Sequence, residues 1–187
     1  MRTDVSLHPL DEGLLQALLG AAVADADPFE VMPPVDPDGP PGWTEQRQAA
    51  FLAFHRSRAL AVEPVECTYV IAVDGDVIGA ARLCPLDEPA GTVEAGVWIV
   101  RGQRGAGVGG AVLQRMISLA RSAGFGAFFI STKPENTAVL RLLDGLGAVA
   151  LREGGSVTST IDLGTDSSET ADTADTEAET AAEGARL

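Results

Sequence analysis

The chain has 187 residues, 45% of them hydrophobic, which is enough for one domain with a packed core. No apolar run reaches the roughly 18 residues that a membrane span needs, and Met1–Leu10 lacks the basic-then-apolar pattern of a secretory leader, so cytoplasmic residence is the expectation. A formal net charge of −14 argues against the positive surface that non-specific nucleic-acid binding requires.

Part of that charge is local. Residues 164–187 hold seven acids and one base, −6 in all, leaving −8 for the remainder. An acidic body suits a cationic acceptor such as an amine. It equally suits a salt-adapted or GC-rich source, as does the use of one lysine, Lys133, against twelve arginines.

In chain order, Val5–Leu10 reads as a short strand. Asp11–Ala24 is helical, with Leu14, Leu15, Leu18 and Leu19 at spacings of three and four. Asp25–Trp43 carries six of the eleven prolines and is read as irregular. Thr44 caps a second helix, Glu45–Leu60, with Phe51, Leu52, His55 and Ala59 on one face. Cys67–Val73 and Val77–Cys84 form a hairpin across Asp74-Gly75. Val93–Val100 is a further strand, Arg101–Gly107 a glycine-rich turn, and Gly109–Ala123 a helix ended by Gly124. Ala127–Thr132 is a strand, and Asn136 caps a helix over Thr137–Leu146 that Gly147 stops. Val149–Glu153 and Ser156–Leu163 close the domain as a hairpin. The domain is thus placed at residues 1–163. Residues 164–187, rich in Thr, Asp, Glu, Ala and Ser, are read as an acidic, low-complexity, disordered tail.

Cys67 and Cys84 lie in the hairpin strands and are expected to be reduced, buried thiols. His8 and His55 stand alone, and no Cys/His cluster has metal-ligand spacing, so no metal is expected.

The informative stretch is Val93–Gly110, VEAGVWIVRGQRGAGVGG, where a strand runs through a basic glycine-rich turn into a helix. A helix N-terminus offers unpaired N–H groups and a positive dipole end. Gly105, Gly107 and Gly109 let an anion approach the backbone, and Arg104 adds positive charge. The bland alternative is a tight turn with no ligand. Gly105–Gly110 also fits the dinucleotide pattern G-x-G-x-x-G. The context is wrong for it: Arg101–Arg104 intervene after the strand, a hairpin precedes, and Ile130-Ser131-Thr132 stands where an acid is expected.

The run Arg104-Gly105-Ala106-Gly107-Val108-Gly109, after the strand Glu94–Ile99, resembles the cofactor motif of the GNAT superfamily of N-acetyltransferases. Asn136–Ala148 resembles that family's Asn-led helix, which ends at Leu-Gly-Phe. The order of elements matches from Val5 to Leu163. The resemblance implies an α/β (α+β) fold. Its mixed, mostly antiparallel sheet has about seven strands, about four helices flank it, and the fourth and fifth strands splay apart. It implies acetyl-CoA as acyl donor, with pantetheine lying between those strands. Backbone groups at Val97, Trp98 and Ile99 would bind pantetheine and polarise the acetyl carbonyl. Arg104, Gly105, Ala106, Gly107, Val108 and Gly109 would hold the pyrophosphate. Asn136 would hold the cofactor arm, serve as a plain helix cap, or do both.

Direct transfer to an amine needs a base or a water chain to take a proton. Glu94, at the start of the fourth strand, is the candidate; its alternative is a solvated strand-end glutamate. The family often places a tyrosine seven residues after the asparagine to protonate the departing thiolate, and this chain has Leu143 there. The thiolate then leaves with other help, or the chain is a silent acyl-CoA binding module. The acceptor is expected to be a small-molecule amine or a protein N-terminus. The acceptor wall falls in Asp25–Arg58, with Asp25, Asp27, Phe29, Glu30 and Trp43 as candidate lining, although Trp43 reads better as a loop anchor. A homodimer is the family's habit.

Overall fold

The computed structural model describes residues 4–164; the acidic tail and the disorder expected of it lie outside the described residues. A seven-stranded sheet runs in the order β1-β2-β3-β4-β5-β7-β6. Its strands are β1 Val5–Pro9, β2 Cys67–Val73, β3 Asp76–Pro85, β4 Thr92–Ile99, β5 Ala127–Thr132, β6 Ala150–Glu153 and β7 Ser156–Asp162. All neighbours pair antiparallel except β4 and β5, which are parallel. The expected elements are therefore all present, with ends shifted by at most one residue.

The β2–β3 hairpin turns on Asp74 and Gly75, at φ +51° and +94°. Asp-Gly suits that turn because both positions are left-handed and Asp tolerates the region better than most residues.

The helices divide between the two faces. α1, Glu12–Asp25, and α3, Glu45–Ala59, cover one face. There Leu15, Leu18, Ala22, Phe51, Val70 and Ala80 form one buried cluster. Asp11 caps α1 by accepting from the Leu14 amide at 2.7 Å, and Thr44 caps α3 by accepting from the Arg47 amide at 3.2 Å. α4, Val108–Ser122, and α5, Thr137–Gly145, lie on the other face. Val108, Val112, Met116, Ala120 and Leu143 join Ile71, Leu83, Val93 and Phe128 in the larger cluster.

Three expectations need correction. Asp25–Trp43 is not wholly irregular, because Pro28–Val31 forms a one-turn helix, α2, which brings the helices to five. Asp27 caps it and Pro28 occupies its first turn, where a missing N–H costs nothing. Proline there starts a helix instead of preventing one. Cys67 is exposed and Cys84 half-buried, so neither thiol is buried; both are free. Cys67 opens β2 between buried Glu66 and Thr68, and strand alternation turns it to the opposite face of the sheet.

The remaining proline-rich segment is organised from inside. Arg47 is fully buried. Its Nε donates to the Val35 carbonyl at 3.1 Å, Nη1 to the carbonyls of Pro40 and Gly42, and Nη2 to that of Asp36 at 2.6 Å. The guanidinium also lies 4.8 Å from the centre of the Phe29 ring. One side chain thus satisfies four carbonyls of a loop that makes few regular hydrogen bonds of its own. Trp43 is a loop anchor, as expected: its indole N–H donates to the Ala26 carbonyl at 2.9 Å and its ring meets Phe51 edge-on. Replacing Arg47 with Met should lower stability by about 3 kcal/mol or more, because the carbonyls lose their donor. Chemical denaturation measures it, and an unchanged midpoint would show that the loop holds itself.

His55 is buried between Phe51 and Phe54, and neither ring nitrogen has a hydrogen-bond partner. Burial pushes its pKa down to about 4, against a smaller opposing pull from the Glu66 carboxylate. The unfolded chain, with an ordinary histidine near 6.5, then binds the extra proton first. His55 should therefore cost stability progressively as pH falls from about 6.5 to about 4, by up to about 3 kcal/mol. His55→Leu should remove that slope, which unfolding curves collected across this window will show.

Candidate active site

The site is built where β4 and β5 part. They pair in parallel over four positions only, from Thr92 with Ala127 to Ala95 with Ile130. Beyond that point β5 stays with β7 through Thr132, and β4 stays with β3. Gly79 shows why β4 leans toward β3. A Cβ there would lie 2.1 Å from the Trp98 carbonyl oxygen, so only glycine permits this approach. Gly96–Ile99 consequently present one backbone edge without a β5 partner. Val97 is exposed, and Trp98 and Ile99 are half-buried. An extended ligand with its own donors and acceptors fits such a gap as an added strand would.

A 3-10 turn over Arg101–Gln103 follows β4 and leads into the glycine loop. Gly105 and Gly107 sit at φ +84° and +82°, and nothing lies within 4 Å of a Cβ placed on either. The glycines are required by conformation, and the space beside them is open. Gly107 is the N-cap of α4, and no side chain caps the helix. The first-turn N–H groups, at Val108, Gly109 and Gly110, thus face outward beside an open loop. Gly109 and Gly110 have a second role. Cβ atoms on them would come within 3.6 and 3.2 Å of the Leu142 side chain, so these glycines bring α4 against α5. A pyrophosphate fits this cradle by charge, donor set and access.

The arginines are placed differently from the simple expectation. Arg104 turns back, with Nε donating to the Ile99 carbonyl at 2.8 Å and Nη2 to Glu30 at 2.9 Å. Arg101 lies 3.7 Å from Asp27 and 3.6 Å from Glu30. The Gly102 amide donates to Asp25 at 2.6 Å. The acidic side chains read as acceptor lining therefore tie the wall segment to the cofactor loop. Sequence reasoning held both sets of residues but had no signal that would pair them across more than 70 positions.

Asn136 caps α5, accepting from the Val139 amide at 3.4 Å, while its Nδ2 donates to Thr132 Oγ1 at 3.0 Å. The capping reading is correct, and the link to Thr132 sets it beside the end of β5. Leu143 is buried in the α4-side core. The chain's one tyrosine, Tyr69, lies on β2, with β3 between it and β4. No phenol therefore replaces the expected one at the splay.

Glu94 is not a solvated strand end. Its side chain is 28% exposed, and Oε2 accepts from Arg82 Nη2 at 3.2 Å. Arg82 in turn reaches Glu66, whose side chain is fully buried. Sequence reasoning missed Arg82 and Glu66, since a strand arginine and a loop glutamate carry no motif.

The dinucleotide reading fails on topology. β4 follows an antiparallel partner and takes part in the sheet's only parallel pair, so the doubly wound parallel unit is absent from the described residues. The acetyltransferase (GNAT) family model matches residues 30–148. The chain belongs to this family. No curated protein matches it in sequence. Solved structures match it in fold. The GNAT domain of S. lividans PAT is 18% identical, with a TM-score of 0.63 over 86% of this chain and 90% of that one. YncA from Salmonella typhimurium, solved with its cofactor acetyl-CoA, is 21% identical, with a TM-score of 0.61 over 89% and 98%. The spermidine/spermine N-acetyltransferase SpeG from Vibrio cholerae is 14% identical, with a TM-score of 0.61 over 85% and 94%.

Valine at position 107 would need a left-handed backbone that a β-branched residue resists, and its side chain would enter the open space of the cradle. Gly107→Val should therefore lose acetyl-CoA binding by at least about tenfold. The fold should survive, because no packed atom is displaced. Calorimetric titration of a folded variant with unchanged affinity would remove the cradle from the loop.

Proposed function

We propose that this GNAT-family chain is an N-acetyltransferase that uses acetyl-CoA to acetylate a primary amine on a small molecule or a protein N-terminus by direct transfer. The observation that carries this reading is the coincidence of two features at one sheet edge: the β4 backbone freed by the splay, and the uncapped α4 N-terminus reached through Gly105 and Gly107. Acetyl-CoA, when bound, supplies the acetyl group as a thioester. The chain's own residues do the rest. The loop Arg104–Gly109 holds the pyrophosphate through backbone N–H groups. The edge at Val97, Trp98 and Ile99 aligns the pantetheine arm and offers a preplaced donor to the acetyl oxygen. Asn136, beside Thr132, flanks the same arm.

Glu94 is the base. It lies on the α1 and α3 face, in register with Cys84 on β3 and Phe129 on β5, two residues before the unpaired edge. Arg82 holds one carboxylate oxygen, and Oε1 has no hydrogen-bond partner among the described residues. That oxygen is free to take a proton from the acceptor ammonium, directly or through a water.

Leu143 favours a second reading, a silent acyl-CoA binding module, because its buried position provides no proton for a leaving thiolate. Thiol release from acetyl-CoA across a panel of primary amines, spermidine and an N-terminal peptide included, separates the two. Release above the rate with water alone supports the enzyme, and binding without release supports the module. With the best amine of the panel, Glu94→Gln should lower turnover by roughly 10²-fold while acetyl-CoA affinity stays within a factor of about two. If the rate survives, Glu94 is not the base.

A further inference from the structure

Four charged side chains form one array on the α1 and α3 face, and none of them belongs to the cofactor motif. Thr68, Arg82 and Gly96 stand in one row across β2, β3 and β4, since each is the register partner of the next. Glu66 precedes that row on β2's side, and Arg58 comes down from α3. Glu66 is fully buried in its side chain, and a buried carboxylate is retained only where donors compensate it. Its Oε2 accepts from Arg58 Nε at 2.8 Å and from Arg82 Nη1 at 3.4 Å, and its Oε1 accepts from Thr68 Oγ1 at 3.3 Å. Arg82 then extends in the other direction and gives Nη2 to Glu94 Oε2 at 3.2 Å.

The path of Arg82 is built into the sheet. A Cβ at Gly96 would lie 2.6 Å from Arg82 Nε and 3.0 Å from its Cγ. The arginine therefore lies flat over Gly96, the first β4 residue beyond the last β4–β5 pair. It bridges a fixed internal carboxylate and the carboxylate at the mouth of the splay.

Resting on the assignment of Glu94 as base, we propose that Arg82, anchored by buried Glu66, is the positioning residue that holds the Glu94 carboxylate at the splay by one oxygen and leaves the other for the acceptor's proton. The array holds two guanidinium groups and two carboxylates. It is neutral as a whole, so Arg82 orients Glu94 without placing an uncompensated positive charge where a cationic amine must arrive. Other groups facing the array are the Cys84 thiol, 3.6 Å from Arg58 Nη2, and His55 on α3. Glu66 also holds Arg58 charged, its side-chain hydrogen bond raising that guanidinium further.

The test measures kcat, KM for the amine selected above and acetyl-CoA affinity in folded variants. Arg82→Gln should lower turnover about tenfold or more, the loss falling on kcat, with acetyl-CoA affinity unchanged. Arg82→Lys should restore only part of the turnover, since a point charge replaces a planar fork. Gly96→Ala, which displaces the arginine without removing it, should lower turnover as Arg82→Gln does. It also carries the test if Arg82→Gln does not fold. In the Glu94→Gln background, Arg82→Gln should add no further loss of turnover. Turnover unmoved in folded Arg82→Gln or Gly96→Ala overturns the positioning role alone if Glu94→Gln is impaired. Full turnover in Glu94→Gln overturns the base assignment instead.

Discussion

Everything at the site depends on one constraint, that β4 can bond to only one neighbour beyond Ala95. A strand inside a sheet normally has both edges paired, and an unpaired backbone edge is costly unless water or a ligand satisfies it. Here β5 is held by β7 and β4 by β3, so the gap between them persists without a lid or a hinge. The close approach at Gly79 fixes the direction in which β4 departs. From that divergence follow the free edge at Val97–Ile99, the position of the glycine loop just past the strand, and the presentation of α4's N-terminus to the same opening. No single side chain creates the site; the strand order does.

Electrostatics then has to solve a conflict, because a chain of net charge −14 is asked to bind a polyanion. The solution is local. The cradle relies on backbone N–H groups and a helix end, which carry positive potential regardless of the surface charge. Its two arginines are already engaged by Asp27 and Glu30, so their charge is largely spent on the wall segment. These pairs are roughly half exposed and individually weak. Their importance is geometric: together with the Asp25 bond to the Gly102 amide, they tether the loop at three points to the segment Asp25–Glu30.

Periodicity and turn chemistry make the fold legible. The leucines of α1, the Asp-Gly hairpin and the Asn136 cap each fix an element by local physics, and the structure places all of them as expected. The cradle is legible too, because closely spaced glycines before a helix mark a backbone that turns left-handed and stays open to a ligand. What sequence cannot show is how distant polar groups pair. Arg47 is, in sequence, one more helix arginine, yet it is the internal scaffold of the proline-rich loop. Glu66 and Arg82 lie 16 positions apart with no motif between them, and only the β2–β3 register brings them together. Proline content argues against a regular element, although Asp27-Pro28 starts a helical turn. Cysteines inside apolar runs suggest burial, but position at a strand end outweighs composition.

The division of labour between the two faces has a consequence for how such a site can diverge. On the α4 face, the cradle is backbone, so most substitutions around it leave its donors intact. On the α1 and α3 face, the structure hangs on side chains: Arg47 for the loop carbonyls, Trp43 for the Ala26 carbonyl, and the Glu66–Arg82–Glu94 array for the carboxylate at the splay. Side-chain scaffolds are remade by single changes, whereas a strand order is not. On the proposed reading of the site, donor recognition is fixed by topology, and acceptor recognition is free to vary on the same frame. Position 143 lies instead on the α4 face, where a leucine in place of a tyrosine fills the core beneath α4.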